Sequence, residues 1–99
     1  MLFGLFGKRK EKPLEGDLVG KVVHYFPHVK AAVIGIEKKG ISIGDHIRIK
    51  GHTTDFEENI ESMQVEHEAV ESVSKGQEVA IKVKKKVRRR DQVYLLNKR

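Results

Sequence analysis

The residues best able to do chemistry in this chain are a run of cations near its C-terminal end. Lys82, Lys84, Lys86, Arg88 and Arg90 recur at every second position, with Arg89 among them, while Val79, Ile81, Val83 and Val87 fall in the opposite phase. Continued as one strand, this pattern lines five cations along one face about 6.6 Å apart, twice the rise per strand residue. That spacing is close to the phosphate repeat of an extended single strand, so an RNA backbone can run along it. Arg88, Arg89 and Arg90 would add bidentate phosphate contacts. The alternative is a solvated strand edge, charged against strand-to-strand aggregation. Tyr25, Phe26, Phe56 and Tyr94 are the aromatic residues available to stack on bases, and most of them suit a core better. Sequence-specific readout is not expected.

Other chemistry-bearing residues do not converge. His24 and His28 are four apart, but Pro27 forbids the helix that would bring them together, and in an extended chain they lie about 13 Å apart. His46, His52 and His67 fall on three different elements, so surface histidines are expected rather than a metal site. Asp45 follows Gly44 in a turn, where an aspartate caps its own backbone, and it has no base partner with a catalytic role. Ser42, Ser62, Ser72 and Ser74 lack the context of a nucleophile elbow. The expectation is a binding domain without enzymatic activity, cofactor or metal.

The totals bound the rest. Ninety-nine residues suffice for one domain. The absence of cysteine excludes disulfides and thiolate metal sites and fits a reducing compartment. The net charge is +6, and it is unevenly placed. From Gly51 to Ser74 there is no Lys or Arg but seven of the fourteen acids, Asp55, Glu57, Glu58, Glu61, Glu66, Glu68 and Glu71. An electrically two-sided molecule follows, its basic side suited to RNA or an anionic membrane, or simply kept soluble by Lys and Glu, as in thermophilic proteins. The acidic stretch would repel nucleic acid toward the opposite side, bind a basic protein, or only be solvated. Residues 1–16 read as a leader with an apolar start and a cluster from Lys8 to Lys12. Leu2, Phe3, Leu5 and Phe6 followed by those cations would give weak membrane-surface contact at best. The order of charge and apolar residues is the reverse of a secretory signal, so a cytoplasmic location is expected.

The elements that must position these residues are short strands. Leu18 to Phe26 is rich in Val and aromatics and ends at a Pro27-His28 turn; Val29 to Glu37 forms a second run. Ile41, Ile43, Ile47 and Ile49 alternate around a Gly44-Asp45 turn, and Gly51 to Asp55 is a loop. Glu58 to His67 is read as a strand, Lys75-Gly76 as a turn, and Val79, Ile81 and Val83 as the dry face of a further strand. Gln92 to Leu96 closes the domain. Strands of this spacing predict an all-β fold, a small closed barrel of six or seven strands over residues 17–99. Val22, Ile34, Ile47, Ile49, Val65, Val79, Ile81 and Val83 are its expected core.

The punctuation of these strands resembles a known family. Gly20-Lys-Val-Val, Val33-Ile-Gly-Ile-Glu-Lys-Lys-Gly40, Ile41-Ser-Ile-Gly44-Asp45-His-Ile-Arg-Ile-Lys-Gly51, Glu61-Ser-Met-Gln-Val65 and Val73-Ser-Lys-Gly76-Gln-Glu-Val79 look like the second-domain β-barrel of translational GTPases such as elongation factor Tu. They are still more similar to stand-alone elongation factor-like proteins and to the C-terminal barrel of collagenase-type peptidase-family proteins that act on RNA. The resemblance runs from about Asp17 to Leu96 and rests on turn glycines and core aliphatics, so it speaks for architecture more than activity. The GTPase domain has no counterpart here. Gly16-Asp-Leu-Val-Gly20-Lys21-Val22 is one residue short of a phosphate-binding P-loop and has Val where the Mg²⁺-binding hydroxyl belongs. The resemblance implies a non-enzymatic module associated with RNA or the ribosome, and the cationic face of Lys82, Lys84, Lys86, Arg88, Arg89 and Arg90 is the contact surface expected from the charge pattern. The alternative is a protein-interaction barrel that docks on a separately encoded enzyme.

Overall fold

The computed structural model describes residues 16–96; the expected leader, including Leu2, Phe3, Leu5 and Phe6, and residues 97–99 lie outside them, apart from Gly16. The chain forms ten strands: β1 (Asp17–Phe26), β2 (Ala31–Ile36), β3 (Ile41–Ser42), β4 (His46–Lys50), β5 (Asp55–Asn59), β6 (Met63–Val65), β7 (Glu68–Ala69), β8 (Ser72–Val73), β9 (Glu78–Lys82) and β10 (Gln92–Leu95). No helix among the described residues is long and apolar enough to cross a membrane.

Strict alternation sets these elements. In β2, Ala32, Ile34 and Ile36 are buried while Ala31, Val33 and Gly35 are half-buried; in β4, Ile47 and Ile49 are buried between His46, Arg48 and Lys50. Period-two burial with β-branched residues inside is what a strand with one dry face requires. Val22, Ile34, Ile47, Ile49, Val79, Ile81 and Val83 are in the core as expected, with Val65 half-buried against it. Val19, Ile41, Ile60, Met63, Val87 and Val93 complete its fully buried layer. Burying a Val, Leu or Ile side chain is worth about 1.5–3 kcal/mol, and this core is the main source of stability.

Eight strands form one antiparallel sheet in the order β5-β4-β10-β1-β2-β9-β6-β7, and β3 and β8 pair separately. Two bulges in β1, between Leu18 and Gly20 and between Val22 and His24, bend it so that it serves both β10 and β2. At Gly20 the two backbones approach so closely that a Cβ would run into the Gly35 carbonyl, which restricts the position to glycine.

The closed six- or seven-stranded barrel is not what forms. The sheet curls back on itself, since its outer strand β5 and its seventh strand β6 are joined by only three residues, 60–62, but its ladder stays open. The reason lies in the segment expected to be one strand from Glu58 to His67. Ile60 is pinned to the Gly44-Asp45 turn, donating its N–H to the Asp45 carbonyl (2.9 Å) and accepting from Gly44 (2.8 Å). The chain leaves β4 there and rejoins the sheet at Met63, which pairs with Ile81 of β9. Between β5 and the end of β9, no ladder bridges the seam.

The second half of that segment folds into a hairpin. Val65 pairs with Glu68, leaving a two-residue loop of Glu66 (φ 51°) and His67 (φ 71°). Both central residues have positive φ, the geometry of a type I′ turn, for which Asn and Gly are the preferred residues. Substituting His67→Gly removes a side chain from a left-handed position and is expected to stabilise the domain by about 1 kcal/mol, allowing for the looser unfolded chain. Denaturant titration checks this; an unchanged midpoint would mean the turn holds no strain.

Candidate binding surface

The cationic run does not form the expected ladder. β9 ends at Lys82, and residues 83–91 connect it to β10 as a loop. The connection is held by its valines and its backbone. Val83 and Val87 are 4% and 2% exposed, and Val83 N–H donates to the Lys30 carbonyl (2.9 Å). At the far end Arg90 N–H donates to the Val22 carbonyl (2.8 Å). Five cations at a regular strand spacing are therefore absent; Lys82 ends β9, and Lys84, Lys86, Arg88, Arg89 and Arg90 follow it along the loop, all exposed, with Lys85 among them.

The arginines sit on a turn that occurs three times. In Ser42–Asp45, Ser74–Gln77 and Arg88–Asp91, the fourth residue's N–H donates to the first residue's carbonyl, at 3.1, 3.2 and 3.1 Å. In each, a side-chain oxygen of the fourth residue accepts the first residue's N–H at 2.8 Å. The cap expected of Asp45 is one of these. The third position has φ 94° at Gly44, 94° at Gly76 and 79° at Arg90, as a type II turn demands. Arg90 thus occupies a place where the two sister turns carry glycine. The buried Asp91 carboxylate spends its Oδ2 on the Arg88 N–H, so it fixes backbone rather than neutralising guanidinium.

Ion pairing separates this loop from the rest of the surface. Lys21, Lys39, Arg48 and Lys50 each reach a carboxylate within 4.0 Å, with Arg48 bidentate on Asp55 at 2.8 and 2.9 Å. Asp55 is held below the usual carboxylate range, chiefly by that hydrogen bond with Arg48. His46 is raised above its ordinary value by its hydrogen bonds to Glu57 (2.9 Å) and Asn59 (2.7 Å). None of the seven cations from Lys82 to Arg90 is in a salt bridge among the described residues. Lys85 Nζ lies 6.0 Å from the centre of the Phe56 ring. Of the aromatic candidates, Phe56 is core, Tyr25 and Tyr94 are half-buried, and Phe26 is 47% exposed with its ring 4.3 Å from that of His24. No group of three His, Asp or Glu able to hold a metal ion occurs among the described residues.

The seam left by the open ladder is a groove of about 780 Å³. Glu58, Asn59 and Glu61 line one wall; Lys82, Val83 and Lys84 line the other, with the β1–β2 hairpin tip, 28–30, at its end. This corrects the two-sided picture of charge, because acids of the 55–71 stretch meet lysines here. Across the seam a hydrogen bond runs from Lys84 N–H to Glu58 Oε1 (2.9 Å). Glu58 is 6% exposed and occupies the inward phase of β5 between the buried Phe56 and Ile60. Burial pushes its carboxyl above the ordinary 4.5; the Lys84 backbone bond and charge pull the other way, and Glu61 adds to the rise.

Comparison with known proteins bears on what this surface serves. No protein-family model matches the chain. It is 40% identical over 82 residues to a collagenase of Porphyromonas gingivalis, covering 82% of this chain and 23% of that protein. It is 42% identical over 79 residues to an uncharacterized protease of Methanocaldococcus jannaschii, covering 79% of this chain and 19% of the protease. The chain thus spans about a fifth of the length of these relatives. Among solved structures, the C-terminal domain of a Geobacillus thermoleovorans protein described as a U32 peptidase superposes with a TM-score of 0.76 at 21% identity, covering 82% of this chain and 93% of that one. Its selenomethionine form gives 0.75, covering 79% of this chain and 98% of that one. The chain is thus homologous to a segment of collagenase-type proteins, and it shares the all-β fold of the C-terminal domain of a U32 peptidase-type protein.

Two consequences follow for the residues above. Glu58 has a folded pKa above its unfolded value, so its contribution to stability is present below about pH 4.5 and is lost as pH rises through the folded pKa. Glu58→Gln keeps an acceptor for Lys84 N–H without the buried charge, and its unfolding free energy should exceed that of the parent at neutral pH and converge with it in acid. Glu58→Leu strands the amide and should cost about 1–3 kcal/mol. Urea titrations across pH check both. For the turn, Arg90→Gly should stabilise the domain by about 1 kcal/mol, while Gly44→Arg at the sister turn should destabilise it by about as much.

Proposed function

We propose that this chain is a non-catalytic docking domain for a catalytic domain of the U32 peptidase or collagenase type. The observation that carries the reading is the 40% identity to about a fifth of a collagenase: in that relative the matched segment is joined to a far larger remainder of the chain. A β domain held beside another domain at high effective concentration needs only a modest interface. The present chain supplies exposed apolar side chains for one at Phe26, Val29 and Ile43, 47%, 56% and 43% accessible. Among the described residues, Asp45 and Asp91 accept backbone N–H groups, and His46 and Arg48 pair with Glu57 and Asp55.

A second reading, an RNA- or ribosome-associated domain, is favoured by one observation: seven exposed cations from Lys82 to Arg90 without ion pairs among the described residues, which suits a polyanion. The docking reading accounts for more, since it also uses the homology.

The two are separated by mixing the full chain with Porphyromonas gingivalis collagenase from which the matching 82 residues have been removed. The docking reading expects a one-to-one complex by analytical ultracentrifugation, insensitive to ribonuclease, and no complex with the intact collagenase, whose own segment occupies the site. Absence of any complex, with ribonuclease-sensitive retention of the chain by RNA, would replace it with the second reading.

A further inference from the structure

We infer that the open seam between β5 and the end of β9 is a strand-addition site that takes an extended, acidic segment of a partner protein. This inference rests on the docking reading and names the surface and the chemistry of the partner.

The backbone of β5 makes the case for a peptide. Its hydrogen-bonded pairs with β4 follow from the hairpin closing bond, Gly51 N–H to the Thr54 carbonyl, and from Ile60 N–H to the Asp45 carbonyl. In that phase Phe56 and Glu58 spend their N–H and C=O groups on Ile49 and Ile47. Asp55, Glu57 and Asn59 therefore point theirs away from β4, and no strand among the described residues pairs with β5 on that side. An edge with free donors and acceptors beside a groove is a template for another chain. Glu58 spans the groove with one side chain, through its bond to Lys84 N–H.

Charge selects the occupant. Lys30, Lys82 and Lys84 on the groove wall have no salt bridge among the described residues, and Lys85, Lys86 and the Arg88–Arg90 turn continue the positive field beyond its mouth. Of the acids on the other wall, Glu58 is buried with its carboxyl committed to the backbone. An incoming strand thus meets backbone partners on the β5 side and, opposite, three lysines that outnumber the groove's two acids, Glu58 and Glu61. A nucleic acid strand has no ladder of amides to offer β5 and would bring phosphates against Glu58 and Glu61. Alternating acidic residues on an extended peptide satisfy both walls at once, because every second side chain faces the same way.

The test uses the full chain and a fluorescein-labelled peptide of alternating Glu and Thr, with a Gln-Thr peptide and an oligouridylate as controls. Asn59→Pro removes an outward N–H without breaking a β4 bond; Asn59→Ala removes the same side chain, including its contact with His46, but keeps the amide. Fluorescence anisotropy should show Asn59→Ala binding the acidic peptide like the parent and Asn59→Pro binding about tenfold more weakly. The exposed pair Lys30→Glu and Lys82→Glu should weaken binding at least as much, with the Gln-Thr peptide bound poorly throughout. Circular dichroism confirms that each variant is folded. Equal affinity of the two Asn59 variants overturns the inference, as does oligouridylate competing as well as the acidic peptide. If the truncated collagenase binds both Asn59 variants alike, the seam is wrong and the docking reading stands. If it binds neither parent nor variants while the peptide discriminates them, the docking reading falls and the strand-addition site remains.

Discussion

Ile60 is the residue on which the architecture turns. An apolar side chain at 1% exposure and a backbone bonded in both directions to the Gly44-Asp45 turn hold the chain at one point, where β5 must stop pairing with β4. Three residues later Met63 is equally buried and begins the pairing with β9. Two buried anchors so close in sequence set the corner at which the sheet curls. The same corner prevents a ladder from running through, because β5 is committed to β4 on one side and on the other meets the loop after β9 through the Glu58 side chain. A continuous core and an open seam thus come from one constraint.

The loop that borders the seam is rigid for a different reason. Val83 and Val87 are drawn into the core, and between Arg88 and Asp91 a carboxylate replaces the backbone partner that a short turn lacks. The Asp45 carboxylate does the same for the turn at Ser42, and the Gln77 amide oxygen for the turn at Ser74. Placing Arg90 rather than glycine in the left-handed position of such a turn costs conformational energy, of order 1–3 kcal/mol, and strain of this kind gathers where a surface has a task. A fixed loop also loses less entropy on binding than a mobile one, so cations displayed on it are better suited to recognition than the same residues on a tail.

Much of this was legible in the residues. Alternation located β4 and β9, an aliphatic run located β2, and seven of the eight expected core residues are buried. Those signals are strong because each depends on a period that packing enforces. The cationic run misled because its even positions fit a strand; Lys85 and Arg89, charged at positions where the dry face should continue, were the warning. Glu58 was read with the solvated acids, although it stands in phase with Phe56 and Ile60. The Glu66-His67 turn carries none of the Gly, Asn or Asp that announces a I′ hairpin, so a strand was the natural reading. Closure of the barrel was beyond the sequence, since it depends on whether one strand stays straight through a buried isoleucine.

In the proposed docking role, the free edge of β5 is the surface that holds the partner. Amide hydrogen exchange of the full chain, alone and with the truncated collagenase, tests it most directly. The outward amides of Glu57 and Asn59 have no partner strand in the free chain and should gain protection when the partner binds, with Lys84 changing as the seam opens. Binding that leaves those amides exchanging as before, while protecting the β3–β8 pair or the outer face of β4, would contradict the claim.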